Sequence, residues 1–488
     1  MDQRGFFRPS GAWVGDVIPW QEDGRFHLFY LHESRRTPKI GMPWHRVVTD
    51  DLVGFTETGP ALASGGPDAD DFNVYTGSVV VADGIHHVFY TGQNPDVVGN
   101  DGLPLQLVLH ATSTDGMRTW DRHPEDTFGA TAGYETADWR DPFVFRDEEA
   151  GLWRMLVTAR HAHGPERRRG VIAQCVSHDL RSWEPVEPFW DPRRYLAHEC
   201  PEVFEWNGWW YLVYSEFSES FTTRYRVSRS LQGPWNVPEN DTLDGRAYYA
   251  AKSAARDGRR FFFGWISSRE GSTDDGDWQW AGTLSVLEAE QNSDGTLRFH
   301  PPRELLETFD RGAGGLASAT VLSAPDGYSA LVLPGTAPAT FRVQAEFDIA
   351  PDTTECGLLL RASADGDEAY VLRLEPRRNR LVFDRWPRRR TGGEQWQISG
   401  DVPFAIELER PVLLEPGRHR LDVVVVDDLC VATVDGAVTL STRLYDRTEG
   451  AIGAFVGEGT VTVLELDVSA RTPDVTDALH DDLLVASS

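Results

Sequence analysis

The sequence predicts an all-β protein, a five-bladed β-propeller followed by a β-sandwich. Three observations lead there. A turn-and-strand phrase recurs five times over about residues 1–300, a second phrase trails its first four copies, and the chain then changes to short alternating strands after a glycine-rich stretch.

The first phrase is a small turn residue and a glycine followed by an aromatic-rich strand. Its copies are Asp23-Gly24 with Phe26, Phe29 and Tyr30, Asp83-Gly84 with Val88, Phe89 and Tyr90, and Ala150-Gly151 with Trp153 and Leu156. Two more are Asn207-Gly208 with Trp209, Trp210 and Tyr211, and Asp257-Gly258 with Phe261, Phe262 and Phe263. The glycines fall 60, 67, 57 and 50 residues apart. Asp-Gly or Asn-Gly between two apolar runs marks a hairpin, because the turn needs positive φ and glycine reaches it at little cost. The second phrase begins at Asp51, Asp115, Asp179 and Ser230 and closes on Phe55, Trp120, Trp183 and Trp235, the three aspartates being 64 residues apart. Each repeat holds about four strands; a period of this length means a propeller or a solenoid, and the near-absence of helical periodicity favours the propeller.

The propeller is assigned to residues 1–305 and a linker to 306–318, where Arg311-Gly312-Ala313-Gly314-Gly315 carries three glycines. Pro301 to Glu307 reads as a short helical or irregular connector. Residues 319–472 show short alternating strands, such as Leu421–Val426 and Val461–Val468, separated by turns such as Asp365-Gly366 and Asp435-Gly436, the pattern of a sandwich. Residues 473–488 read as a polar, frayed tail.

Composition narrows the function classes. Of 488 residues, 40% are hydrophobic and 17 are Trp, enough for a large core. Lys and Arg number 47 against 76 Asp and Glu, a net charge of −29 that repels phosphate backbones and anionic lipid, so neither nucleic acid nor membrane is expected as a partner. No apolar run approaches the ~18 residues of a membrane span. Met1 to Gly5 lacks the pattern of a signal peptide, and four cysteines form neither a disulfide framework nor a metal motif, so a cytoplasmic setting is expected.

In a propeller the innermost strand of each blade lines a central funnel, and the strand before each turn glycine is the candidate. Eight to ten residues before Gly24, Gly151 and Gly208 stand Asp16, Asp141 and Glu199, in Trp13-Val14-Gly15-Asp16, Trp139-Arg140-Asp141-Pro142 and His198-Glu199-Cys200-Pro201. Equivalent offsets from Gly84 and Gly258 fall near Thr76 and Tyr249. One acid among 76 is ordinarily a loop residue or a helix cap; three acids on repeated strands are a constellation. Carboxylates sharing a funnel push their pKa values apart and can divide acid–base from nucleophilic work, while a third takes substrate hydroxyls. Arg140 is either a plain ion-pair partner of Asp141 or the group that orients it and keeps it ionised. The neighbouring aromatics suit sugar faces as well as core. Asp70-Asp71 and Asp274-Asp275-Gly276-Asp277 lack calcium-loop spacing and read as solvated acidic turns. His198 is read as a hydrogen-bonding neighbour of Glu199.

These motifs, in order, resemble glycoside hydrolase family 32, the β-fructofuranosidases. Trp13-Val14-Gly15-Asp16 resembles the nucleophile motif, Trp44 before Asp51 the first-blade tryptophan, and Tyr75-Thr76-Gly77-Ser78 the (Phe/Tyr)-Ser-Gly-Ser segment. Arg140-Asp141-Pro142 matches Arg-Asp-Pro, Glu199-Cys200-Pro201 matches Glu-Cys-Pro, and Trp280-Ala281-Gly282 resembles the last-blade Trp-Ala-Gly. The resemblance implies a retaining hydrolase of β-fructofuranosides with Asp16 as nucleophile, Glu199 as acid/base and Asp141 as hydroxyl-binding stabiliser. It further implies that Trp13, Trp44, Tyr75, Ser78, Arg140 and Trp280 bind a small-molecule carbohydrate substrate, with no metal and no organic cofactor. Two positions depart from the family: Gly15 and Leu31 stand where amide side chains are usual. Either His32, His45 or Arg46 replaces them, or the furanose differs from ordinary fructose. The alternatives are a fructosyltransferase, an inverting arabinofuranosidase of family 43, and a non-catalytic carbohydrate-binding propeller. The sandwich is read as a brace, with sugar binding and self-association as its open alternatives.

Overall fold

The computed structural model describes residues 4–388 and 407–472. The tail expected at 473–488 lies outside the described residues. The described residues divide into two units, one of residues 4–268 and 278–299, the other of residues 269–277, 300–388 and 407–472.

The first unit is a five-bladed propeller. Its blades open with strands Trp13–Glu22, Asn73–Ala82, Tyr134–Asp147, Glu199–Trp206 and Tyr248–Arg256, which pack against one another in a closed ring. Each turns through the glycine phrase into a second, antiparallel strand: Arg25–Glu33, Ile85–Val98, Leu152–His161, Trp209–Glu216 and Arg259–Arg269. Third and outer strands follow from blade to blade. The second phrase explains itself at the wedges between blades. Asp51, Asp115 and Asp179 each accept backbone N–H groups two to four residues on, through one carboxylate oxygen. The tight turn thus held pushes Leu52, Met117 and Leu180 into the core at φ of 63°, 61° and 63°. The aromatic closing each phrase then packs on the core shared with a neighbouring blade: Phe55, Trp120, Trp183 and Trp235.

Closure of the ring joins the two ends of this unit. Phe6–Phe7 pair with Ser285 and Leu284 of the last blade, and Val14 of the first blade pairs with Gly282. Phe7 is buried and meets the Tyr30 ring edge-on at 5.7 Å.

Every opening strand breaks its ladder at the same height. The register shifts lie between Val14 and Val17, Tyr75 and Gly77, Arg140 and Phe143, Glu199 and Glu202, and Tyr249 and Lys252. A bulge re-aims side chains that a regular strand would send to opposite faces. Asp16, Thr76, Asp141, Cys200 and Ala250 share one position, six residues before the last paired residue of their hairpins. Glu199 sits one residue earlier, the position of Gly15, Tyr75, Arg140 and Tyr249. The acids are therefore not strictly equivalent, as the offsets from the turn glycines had implied.

The second unit is a β-sandwich built on one 20-residue strand, Ala451–Ala470, that bends at Glu458 with φ of 49°. Its first half pairs with Glu355–Ala362 and its second with Phe341–Ile349, so each half belongs to a different run of strands. Alternation in Phe341–Ile349 buries Phe341, Val343, Ala345, Phe347 and Ile349. The linker expected at 306–318 is corrected. Arg303–Glu307 form a short helix, and Arg311–Gly315 form a strand paired with Ala470 to Asp467, since glycines also permit a close, side-chain-free edge. The acidic turns are corrected as well. Asp274 is buried and accepts from Tyr370 and from the Tyr445 N–H, while Asp71 is buried against Tyr90 and Arg122. Among the described residues, no helix is long and apolar enough to cross a membrane.

Ring closure through the first strand generates a measurable expectation. Phe7→Ala should destabilise the propeller by about 3 kcal/mol through loss of a buried ring, read from the propeller transition in urea; an unchanged midpoint would show that the ring closes without it.

Candidate active site

The bulges bring Asp16, Asp141 and Glu199 to one cavity of about 850 Å³. Its wall also includes Leu31, Glu33, Arg35, Tyr75, Thr76, Gln106, Asp138, Arg140 and Trp280.

Asp16 is ringed by donors. Thr76 Oγ1 donates to Oδ2 at 2.6 Å and Trp265 Nε1 to Oδ1 at 3.2 Å, while the Cys200 thiol lies 3.7 Å from Oδ2. Burial raises its pKa, with Asp141 adding to the rise; the Thr76 and Trp265 bonds and the Lys252 charge oppose it. Asp141 has φ of 56° and sits within the bulge of its strand. Oδ2 accepts from Thr158 Oγ1 and from the Cys200 N–H, each at 3.0 Å, and the Asp141 N–H donates to Thr91 Oγ1 at 2.8 Å.

Glu199 is held at both oxygens. Arg140 Nη2 donates to Oε1 at 3.1 Å and Tyr249 OH to Oε2 at 2.5 Å. Burial pushes its pKa up to about 7; Arg140 opposes this, Asp141 and Asp16 add to it, and the Tyr249 bond opposes it. A hydroxyl can turn from donor to acceptor and a guanidinium cannot, so a proton on Glu199 fits the Tyr249 side. Arg140 is itself anchored by Asp138 and by Gln106 at 3.3 Å. The arrangement pairs a carboxylate surrounded by donors with a carboxylic acid poised to give up its proton near neutrality. That combination suits nucleophilic attack with general acid help.

Of the residues expected to bind substrate, Tyr75, Arg140 and Trp280 line the cavity and three do not. Trp44 is buried in the core, its Nε1 donating to the Tyr75 carbonyl at 3.0 Å. Ser78 is buried behind the wall, donating to the Pro142 carbonyl and accepting from the Val144 N–H, each at 2.9 Å; it braces the strand that carries Asp141. The Trp13 ring is covered by the Arg35 guanidinium at 3.9 Å. His198 makes no side-chain hydrogen bond; it is buried among Trp190, Tyr195 and Tyr214, and only its carbonyl accepts, from Thr158. Thr76 and Tyr249 were visible as offsets and gain roles only through the bulges. Trp265 and Lys252 carried no signal, because what they reach lies on other blades.

The departures at positions 15 and 31 have a structural cause. A Cβ on Gly15 would stand 2.5 Å from the Trp280 indole and 2.9 Å from Leu31 Cβ, so the indole fills the space of a side chain there. His32 and His45 stack on each other at 3.9 Å and Arg46 donates to Thr58 and the Met117 carbonyl; none of the three lines the cavity. The part of the wall at positions 15 and 31 is therefore apolar, made by Leu31 and the Trp280 indole.

A family model described as the glycosyl hydrolases family 32 N-terminal domain matches residues 6–301. A sucrose-6-phosphate hydrolase of Escherichia coli is 28% identical over 314 residues, 61% of this chain and 63% of the relative. A levanbiose-producing levanase of Bacillus subtilis is 27% identical over 264 residues, 51% of this chain and 46% of the relative. These matches span less than two thirds of the curated relatives' length. Among solved structures, an exo-inulinase from Aspergillus awamori aligns with a TM-score of 0.75 at 19% identity, over 96% of this chain and 98% of that one. Fructan 1-exohydrolase IIa from Cichorium intybus aligns at 0.73 and 18% identity, over 96% and 97%. Both share the fold.

The two oxygens of Glu199 give a direct test. Carbon-13 NMR of the glutamate carboxyls should show one group titrating near 7 that vanishes in Glu199→Gln, and Tyr249→Phe should move it upward by removing a bond that favours the charged form. A downward move would reverse the assignment of that bond.

Proposed function

The chain belongs to glycoside hydrolase family 32, and from that premise we propose that it is a retaining hydrolase of β-fructofuranosides. The observation that carries the reading is the pairing in one cavity of Asp16, ringed by donors, with Glu199, whose proton is held to about 7. Asp16 attacks the anomeric carbon while Glu199 passes its proton to the leaving oxygen. The glycosyl-enzyme is then hydrolysed by water that Glu199 deprotonates. Asp141, fixed by Thr158 and Cys200, takes furanose hydroxyls. The alternative readings, sugar transfer, inversion and sugar binding without chemistry, gain no observation of their own.

The apolar wall narrows the proposed substrate. Relatives are named for sucrose-6-phosphate and levan, whereas here Leu31 and the Trp280 indole occupy the places of two amides. A sugar hydroxyl without its partner costs about 1–3 kcal/mol, roughly tenfold to a hundredfold in discrimination. The preferred substrate is then an unusual fructoside or another furanoside.

Three outcomes follow. Asp16→Ala abolishes turnover on every substrate, and wild-type turnover would remove it as nucleophile. Glu199→Gln loses most activity on poor leaving groups but spares the first step on activated aryl furanosides, where acid help matters little. In a panel of sucrose, inulin, levan, difructose dianhydrides and aryl arabinofuranosides, with product anomers followed by proton NMR, sucrose and simple inulin oligomers give a lower kcat/KM than another furanoside; parity or better for sucrose would overturn the altered pocket.

A further inference from the structure

Among the described residues, Lys252, a cation at the centre of the propeller, has no ion pair. Lys252, on the opening strand of the fifth blade, is 2% exposed. Its Nζ reaches across to the second blade and donates to the Gly77 carbonyl at 2.8 Å, and it lies 5.6 Å from the centre of the Phe143 ring of the third. Among the described residues no carboxylate lies within ion-pair distance of it. Burying an ammonium without a direct counter-charge is costly, and lysine is rarely buried unpaired.

What surrounds it explains the arrangement. The titratable and charged groups facing the axis are Asp16 from the first blade, Arg140 and Asp141 from the third, Glu199, Cys200 and Glu202 from the fourth, and Tyr249 and Arg260 from the fifth. Arg140 is committed to Glu199 and Asp138 and lies 3.8 Å from an Asp141 carboxylate oxygen, and Arg260 faces Glu202. Asp16 has hydrogen-bond donors but no cation within ion-pair distance among the described residues. The Lys252 charge lowers the proton affinity of Asp16, Cys200 and Glu202 from a distance. Its hydrogen bond has a second effect. Gly77 directly follows Thr76, the residue whose hydroxyl sits 2.6 Å from Asp16, and a Cβ on Gly77 would stand 2.0 Å from the Phe89 carbonyl. The segment bearing Thr76 is thus clamped between a backbone and an ammonium.

We infer that Lys252 is a positioning residue for the nucleophile, holding Thr76 on Asp16 through the Gly77 carbonyl and supplying a buried positive charge near a carboxylate that, among the described residues, has no ion pair of its own. This rests on Asp16 acting as the nucleophile. Lys252 touches neither the cavity nor a substrate, and it acts only through those two groups.

The test is the pH dependence of kcat/KM on an unactivated alkyl fructoside, whose leaving group needs the proton of Glu199. Lys252→Met, of similar length, should move the acid limb upward by about half to one pH unit. The alkaline limb, belonging to Glu199, should stay in place. Well below the limb activity falls roughly three- to tenfold, and on the plateau it stays within about twofold. Lys252→Gln removes the same charge while keeping a donor for the Gly77 carbonyl, and should move the acid limb in the same direction. A purely structural lysine would lower Tm and activity at all pH values with the limb unmoved, and that result overturns the inference. Failure of both neutral variants to fold assigns the lysine to stability alone and overturns it equally. Asp16→Ala, run alongside, separates the two readings: if it stays active the proposed mechanism is wrong, and if it is dead while the limb is unmoved only the role of Lys252 falls.

Discussion

The site depends on a break in regular pairing. A propeller blade of unbroken strands would send successive side chains alternately into the two wedges beside it, and no pair of adjacent residues could both address the axis. The bulge in each opening strand removes that restriction at one height in all five blades. Positive φ at Asp141, Cys200 and Ala250 is the local cost of it. What offsets the cost is tertiary: Thr91, Thr158 and the Cys200 N–H take the groups that the broken ladder at Asp141 leaves facing inward.

That same geometry sets the electrostatics. Carboxylates gathered in one funnel repel one another, and burial raises the pKa of Asp16 and Glu199. Each is given a different environment. Glu199 meets a guanidinium and a phenol, Asp16 a hydroxyl, an indole and a thiol, and Asp141 a hydroxyl and a backbone N–H. Identity of residue type therefore says little about role here; the donors around each carboxylate distinguish them.

Much of this was legible in the chain, and what was not has a common cause. The glycine phrase and the trailing aspartate phrase revealed the blades because each encodes a local event, a hairpin turn or a loop folded on one carboxylate. Asp16, Asp141 and Glu199 stood out because the hairpins count residues reliably back to the axis. Trp44 and Ser78 were misjudged as sugar contacts because motif membership does not say which face of a strand a residue takes, and both face inward to core. The glycines at 311–315 suggested loose chain, yet they lie along a strand edge whose partner is about 155 residues distant in sequence. Trp265, Lys252 and the one-residue offset of Glu199 belong to ring closure, which no local pattern records.

The contact between Trp280 and Gly15 also bears on how such a site changes over generations. An amide at position 15 requires the Trp280 indole to move, because its Cβ would stand 2.5 Å from the ring. Removing the indole alone does not supply the missing hydrogen bonds; it leaves a hole over the carboxylate. The two positions are therefore epistatic, each substitution being tolerable only on the background of the other. A change of this wall to a hydrogen-bonding one therefore needs paired substitutions, which libraries of single substitutions do not sample.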